Sequence, residues 1–436
     1  MSLAVRRIII NSGKVLMGGL SVNMIAFAQG IIIARSMGPA TYGIWGIILA
    51  YCGTVKSFLG FRTSEPLTRY LVEFKQAGDR HRLKLVIETS LATDFATSLA
   101  SFLVILAAAP LAARLLAFDR SAVLACWIFA GSILFGFGEQ TFYSVVRNQK
   151  GFNLLASLPL GTALFQIAAI ASLFHFGRLS LLTLSITYFS ASIVQSGIYL
   201  IVLRRNVRRE FGFELGRPDF KGLWADRGIL AGYWHFMRTT YLASMASSLL
   251  KNADMLVLGY FQAPTVVGIY RLAKSLATVI QSAAGSMSTV VYQDFNEMLS
   301  QRNRAGLIQG LRKLMRIWVP LVLAGAAFSV FVAEAAMTRV YGLAYAAAAR
   351  PFQVLMIGMA VTMLLFWVQP MMLSSGFYRG YLGIILACTG FGLVIMGLAG
   401  KLGGPVHMAA AFSITWVLAH AAQFVFLSVQ GERKTC

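Results

Sequence analysis

Apolar residues in this chain come in long blocks rather than in a two-residue alternation. Stretches free of Asp, Glu, Lys and Arg run over 95–113, 121–138, 151–177, 179–203, 317–333, 351–378, 380–400 and 402–431. Most reach the roughly 18–20 residues that a helix rising about 1.5 Å per residue needs to cross about 30 Å of hydrocarbon. At that depth there is no water, so the backbone must bond to itself, and each block is predicted to be a helix. Unbroken apolar runs exclude the alternating strands of a membrane barrel. We place spans at 15–34, 43–61, 87–109, 121–143, 152–176 and 180–203. Six more fall at 233–261, 266–290, 315–335, 351–374, 380–400 and 406–429. The expected fold class is an all-α integral membrane protein of about 12 transmembrane helices.

A repeat organises these spans. Residues 38–45 read Gly-Pro-Ala-Thr-Tyr-Gly-Ile-Trp, and residues 263–270 read Ala-Pro-Thr-Val-Val-Gly-Ile-Tyr. Pro39 thus matches Pro264, Gly43 matches Gly268 and Trp45 matches Tyr270; further along, Ser57 matches Ser282 and Gly60 matches Gly285. Each set lies where one helix ends and turns into the next, which is where Pro and Gly have a local role. The chain therefore divides into an N-terminal six-helix bundle (1–205), a basic linker (206–227) and a C-terminal six-helix bundle (228–436).

Composition agrees with the pattern. Of 436 residues, 58% are hydrophobic and 12% charged, with a mean hydropathy of +0.70; soluble domains carry about 25% charged residues. The formal charge of +22 would suit nucleic acid until the basic residues are placed in short loops between apolar blocks. Twenty-six of them fall in loops on the side of the termini and seven on the other. This bias predicts that both termini are cytoplasmic. The basic linker is expected to lie against anionic membrane lipids. Arg6 and Arg7 followed by an apolar stretch and Ala26-Phe27-Ala28 imitate a cleavable signal. However, the apolar run continues through Ile31-Ile32-Ile33 and the repeat needs this helix, so it is read as a span. Cys52, Cys126, Cys388 and Cys436 have no CxxC spacing, and three lie in predicted spans, so neither a disulfide framework nor a metal site is expected. No GxxxxGK[ST], GxSxG or HExxH occurs, so the chain does not read as an enzyme.

The informative residues are ionisable groups inside spans, where one charge costs about 2.5–3.5 kcal/mol on insertion scales. Glu88 and Asp94 open the third span and read as interfacial caps; Glu139 closes the fourth and reads as snorkelling to the surface. Spans seven and eight differ. Lys251 and Asp254 are three residues apart, hence on one helix face, and so are Arg271 and Lys274. The antiparallel run around Pro264 brings all four to similar depth. Asp254 can neutralise one neighbour, and the surplus positive charge should face a hydrated cavity suited to an anion, with Arg apt for phosphate. The matching positions of the first half, Ala26, Gln29, Gly46 and Leu49, carry no charge. Arg238 in span seven and Lys56 in span two would extend the path inward.

Several segments resemble one family. Asn11-Ser12-Gly13 before the first span and Ile33-Ala34-Arg35-Ser36-Met37-Gly38-Pro39-Ala40-Thr41-Tyr42-Gly43 after it resemble polysaccharide flippases of the multidrug/oligosaccharidyl-lipid/polysaccharide (MOP) exporter superfamily. Leu67-Thr68-Arg69-Tyr70, Asp254-Met255-Leu256-Val257-Leu258-Gly259-Tyr260 and Val267-Gly268-Ile269-Tyr270 are similar to further motifs of it. The resemblance implies two six-helix bundles around a central cavity working by alternating access. It also implies transport of isoprenoid-pyrophosphate-linked oligosaccharide across a bacterial inner membrane, for exopolysaccharide, O-antigen lipopolysaccharide or a similar polymer. On that reading Arg271, Lys274 and Lys251 bind the pyrophosphate and Asp254 gates them or couples an ion. Partners would be the lipid-linked oligosaccharide and the polysaccharide polymerase and export machinery, with no nucleic acid. No cofactor is expected, although a proton or sodium gradient could drive the step. The sequence departs from many members in having room for twelve spans rather than fourteen. The alternative is a cation-coupled multidrug exporter of the same superfamily, which would call for acidic rather than basic groups in its cavity.

Overall fold

The apolar blocks fold as helices. The computed structural model describes residues 3–116, 119–149, 151–215, 228, 231–300 and 304–433. In chain order the helices are α1 (Leu3–Leu59), α2 (Ser64–Gln76), α3 (Arg80–Leu115), α4 (Arg120–Leu134), α5 (Glu139–Asn148), α6 (Phe152–His175) and α7 (Leu181–Phe211). They continue with α8 (Ala231–Phe261), α9 (Pro264–Ser300), α10 (Arg304–Ala336), α11 (Ala349–Leu364), α12 (Val368–Ser374), α13 (Tyr378–Leu402) and α14 (Pro405–Arg433). Among the described residues there is no strand.

Among the described residues, 9 helical stretches are long and apolar enough to cross a membrane. The first, Met17–Leu59, holds two spans, because Gly38 breaks the helix with φ 70 and ψ 170. Only glycine adopts that backbone without strain, and Pro39 behind it disfavours a helical neighbour as well. The 9 do not include α8 and α9, which carry the Lys251/Asp254 and Arg271/Lys274 charges. At 31 and 37 residues both nevertheless exceed the length of a span. Twelve helical crossings result, as the sequence pattern predicts.

Three features were not legible in the apolar blocks. The basic stretch after the second span forms α2, which buries Pro66, Leu67, Leu71 and Phe74 while Arg69, Glu73 and Lys75 stay exposed; this amphipathic helix is too short to span. The fourth and tenth crossings are each interrupted, the fourth between α4 and α5 at 135–138 and the tenth between α11 and α12 at 365–367. Helix α7 runs on to Phe211, closed by Gly212 at φ 73, since Arg204–Glu210 can stay helical in water once clear of hydrocarbon. Of the predicted linker, 216–227 lies outside the described residues.

The chain separates into two compact units. One comprises Met1–Gln29 with Ile48–Ser248, the other Gly30–Ile47 with Leu249–Cys436. In the first, α4 packs on α7 and α3, and α6 on α7. In the second, α11 packs on α14 and α10, and α13 on α14. These are the same pairings, crossing for crossing, so the repeat read from a few prolines and glycines extends to how each bundle is packed. The first unit has a core of Leu67, Ile87, Phe142, Leu203 and Tyr233. In the second, Trp318, Phe366 and Met363 form a core in which the Trp318 indole donates to the Met363 carbonyl at 2.8 Å.

Candidate functional site

The site lies wholly in the second unit, where α8 and α9 meet the turn between the first two crossings. Gly43 and Gly268, matched by the repeat, pack against each other: a Cβ on Gly43 would collide with the Pro264 carbonyl oxygen, and one on Gly268 with that of Pro39. Such close approach is open only to glycine. The contact is reciprocal, residue for repeat-related residue, and it fixes what the next helical turn can hold.

One turn further along lies Asp254, fully buried. Its carboxylate accepts from Lys274 Nζ at 2.7 and 2.8 Å, from the Tyr270 hydroxyl at 2.5 Å and from the Met255 amide at 2.8 Å. Lys274 Nζ also donates to the Lys251 carbonyl at 2.6 Å and sits 4.7 Å from the centre of the Phe412 ring. Every lone-pair direction needed to bury this charge is thus supplied. Removing one partner of such a pair costs about 3–5 kcal/mol.

Arg271 is held differently. Its guanidinium lies 4.5 Å over the Tyr42 ring, a contact of about 0.5–2 kcal/mol. Its Nη1 is buried with no hydrogen-bond partner, and among the described residues it makes no ion pair. The Tyr42 ring is in turn met edge-on by Tyr345, whose hydroxyl donates to the Ala34 carbonyl at 3.0 Å. Gly46 makes room for the guanidinium: a Cβ there would lie 2.6 Å from Arg271 Cδ and 2.9 Å from Nη1.

The structure brings Arg271, Lys274, Asp254 and Lys251 to one place, although the Lys251 side chain is exposed. The carboxylate neutralises Lys274 rather than its i−3 neighbour Lys251. Arg238 and Lys56 belong to the other unit, Arg238 exposed on α8 and Lys56 beside the break in the fourth crossing. Sequence reasoning passed over Tyr270 and Tyr42 as site residues. Tyr270 stands four residues before Lys274, hence on its face, which was a usable signal. Tyr42 gave none, because its partner is 229 positions away. Asp94 is no interfacial cap either: it is 5% exposed and accepts from the Thr63 and Thr141 hydroxyls at 2.7 and 2.9 Å.

A family model described as "Polysaccharide biosynthesis protein" matches residues 9–292, well over half of the chain. The chain belongs to that family. No curated protein matches it significantly. Among solved structures it is similar to an inward-facing multidrug resistance MATE family transporter of the MOP superfamily. That TM-score is 0.77 at 15% identity, covering 95% of this chain and 96% of the other. It is also similar to the lipid II flippase MurJ in an inward closed conformation, with a TM-score of 0.74 at 12% identity over 95% and 87% of the two chains. A third is an MOP superfamily transporter from Pyrococcus furiosus for which reverse polarity of the binding pocket suggests a different function (TM-score 0.67, 15% identity, 96% and 94% coverage). This member of the polysaccharide biosynthesis family is therefore a multi-pass membrane protein with the all-helical fold of those MOP superfamily structures. Of the interlocked glycines, Gly268 lies on α9 with Arg271 and Lys274, and Gly43 lies on α1.

Proposed function

We propose that the protein is a flippase that moves isoprenoid-pyrophosphate-linked oligosaccharide from the cytoplasmic to the outer leaflet of a bacterial inner membrane by alternating access. The observation that carries the reading is the buried Arg271 Nη1, which has no partner while a stacked ring fixes the guanidinium plane. A planar cation with Nη1 left unpartnered, held in place beforehand, suits a phosphate oxygen as acceptor. Lys274 and Lys251 supply the remaining charge for a pyrophosphate. Asp254 competes with phosphate for Lys274, which is its gating role.

The family supports a glycan pathway, and the MurJ fold supports a lipid-linked cargo. A drug exporter of the same fold would need a carboxylate open to cationic drugs. The one carboxylate of this cluster already holds Lys274, Tyr270 and the Met255 amide. Replacing Arg271 and Lys274 together by Gln in a strain that depends on this protein should stop polymer export, and replacing Arg271 alone, which breaks no ion pair, should impair it with protein levels unchanged. Normal export would sink the assignment, and a change only in drug susceptibility would favour the exporter.

A further inference from the structure

The first unit holds a half-open cavity of about 260 Å³ that the pyrophosphate reading does not use. It is bounded by the end of α1, the interrupted fourth crossing and the last turns of α7 inside the hydrocarbon. Lys56 and Glu139 both line it. Among the described residues neither makes an ion pair, with the other or with anything else. Glu139 is half-buried at the start of α5, just after the break in the fourth crossing, and lines this cavity.

Two unpaired charges of opposite sign select no net charge: a cation in this space meets Lys56 and an anion meets Glu139. The other polar lining residues are Ser132, Ser192, Gln195, Ser196 and Tyr199, of which Ser132 and Ser192 donate to the Phe129 and Tyr188 carbonyls of their own helices. The Gln195 amide spends one N–H on the Tyr199 hydroxyl at 2.7 Å and keeps its carbonyl. Ser196 is 5% exposed and its hydroxyl has no hydrogen-bond partner. A buried hydroxyl left unpaired costs about 1–3 kcal/mol, so it needs a partner inside the cavity. Phe129 and Phe135 supply apolar faces to the same space. Donors and acceptors lining one space with aromatic walls match a neutral ring bearing hydroxyls, each of which both donates and accepts.

We infer that this cavity binds one neutral pyranose residue of the transported glycan, Glu139 and Gln195 accepting from its hydroxyls and Lys56 and Ser196 donating to them. The inference rests on the glycan reading of the preceding subsection, but its site is separate from Arg271. The test uses the full chain in lipid nanodiscs and a panel of methyl glycosides of glucose, galactose, mannose and N-acetylglucosamine. Binding is read by saturation-transfer NMR, which sees weak ligands. At least one glycoside should bind the wild type. Glu139→Gln and Ser196→Ala, two near-isosteric changes, should each weaken it about five- to tenfold, and Arg271→Gln should leave it unchanged. Glu139→Gln should also slow polymer export.

No binding across the panel would overturn the site, as would equal binding to the Glu139 and Ser196 variants, which would indicate a cavity holding water only. Glycoside binding lost in Glu139→Gln with export intact would overturn its link to the glycan. Failure of the sugar arm while Arg271→Gln still abolishes export removes this cavity and leaves the flippase standing. The reverse pattern removes the flippase and leaves the cavity.

Discussion

At the scale of residues, the site is a contrast between a satisfied cation and an unsatisfied one. Lys274 gives its charge to Asp254 across 2.7 Å, whereas Arg271 keeps its charge and rests on a ring. The two should therefore respond differently to substitution. Asp254→Asn and Lys274→Gln should each lower the thermal unfolding midpoint, since each leaves a buried group without its counter-charge. The double variant should lose less than the sum of the two, and additive losses in that cycle would contradict the pair. Gly46→Ala should push the guanidinium off Tyr42 and weaken phosphate binding about two- to thirtyfold, the range of a cation–π contact, with a small drop in the unfolding midpoint from the same lost contact. The sequence showed which four charges belong together, because helix spacing fixes faces. It did not show who pairs with whom, because that depends on rotamers reaching between helices. Gly46 is the uncharged repeat counterpart of Arg271. In the structure positions 46 and 271 adjoin, so only one of them can carry a long side chain: the asymmetry is partly a packing requirement.

At the scale of elements, apolar blocks located the crossings and left their interruptions undetected. Blocks of 18 residues or more look the same whether or not one turn inside them is unwound. The fourth crossing breaks at Phe135–Gly138, and there Gly138 takes φ 77, a conformation that costs other residues about 1–2 kcal/mol. Gly138→Ala should therefore lower stability by about that amount in thermal unfolding. Gly161→Ala, inside α6 with open space around its Cα, should be neutral or slightly stabilising. Equal effects would mean that the break does not depend on the glycine. Helix α2 was hidden for the opposite reason: its basic residues masked a buried stripe of Pro66, Leu67, Leu71 and Phe74.

At the scale of the whole molecule, length and hydropathy were enough for the class and for the crossing count. A composition with 12% charged residues cannot coat a water-soluble chain of this length. The direction of insertion follows from loop charge rather than from helix packing, so it calls for its own measurement. With both termini cytoplasmic, alkaline phosphatase fused after Gly404, between α13 and α14, should be active. Fused after Gly376, between α12 and α13, it should be inactive, and the reverse would invert the topology. The repeat is deeper than its sequence trace, because the same helix pairings recur in both units while their charges differ: Asp94, with Lys56 and Glu139 beside a cavity, in the first, and Asp254, Arg271 and Lys274 in the second.

The most direct test of the account is equilibrium binding of farnesyl pyrophosphate to the purified full-length protein in nanodiscs, for wild type, Arg271→Gln and Lys56→Gln. A charge-assisted bond is worth about 1.5–3 kcal/mol, or roughly ten- to a hundredfold in affinity. The account predicts a loss of that size for Arg271→Gln, a wild-type affinity for Lys56→Gln, and weakening by added inorganic pyrophosphate. Equal affinity of the wild type and the Arg271 variant would contradict it.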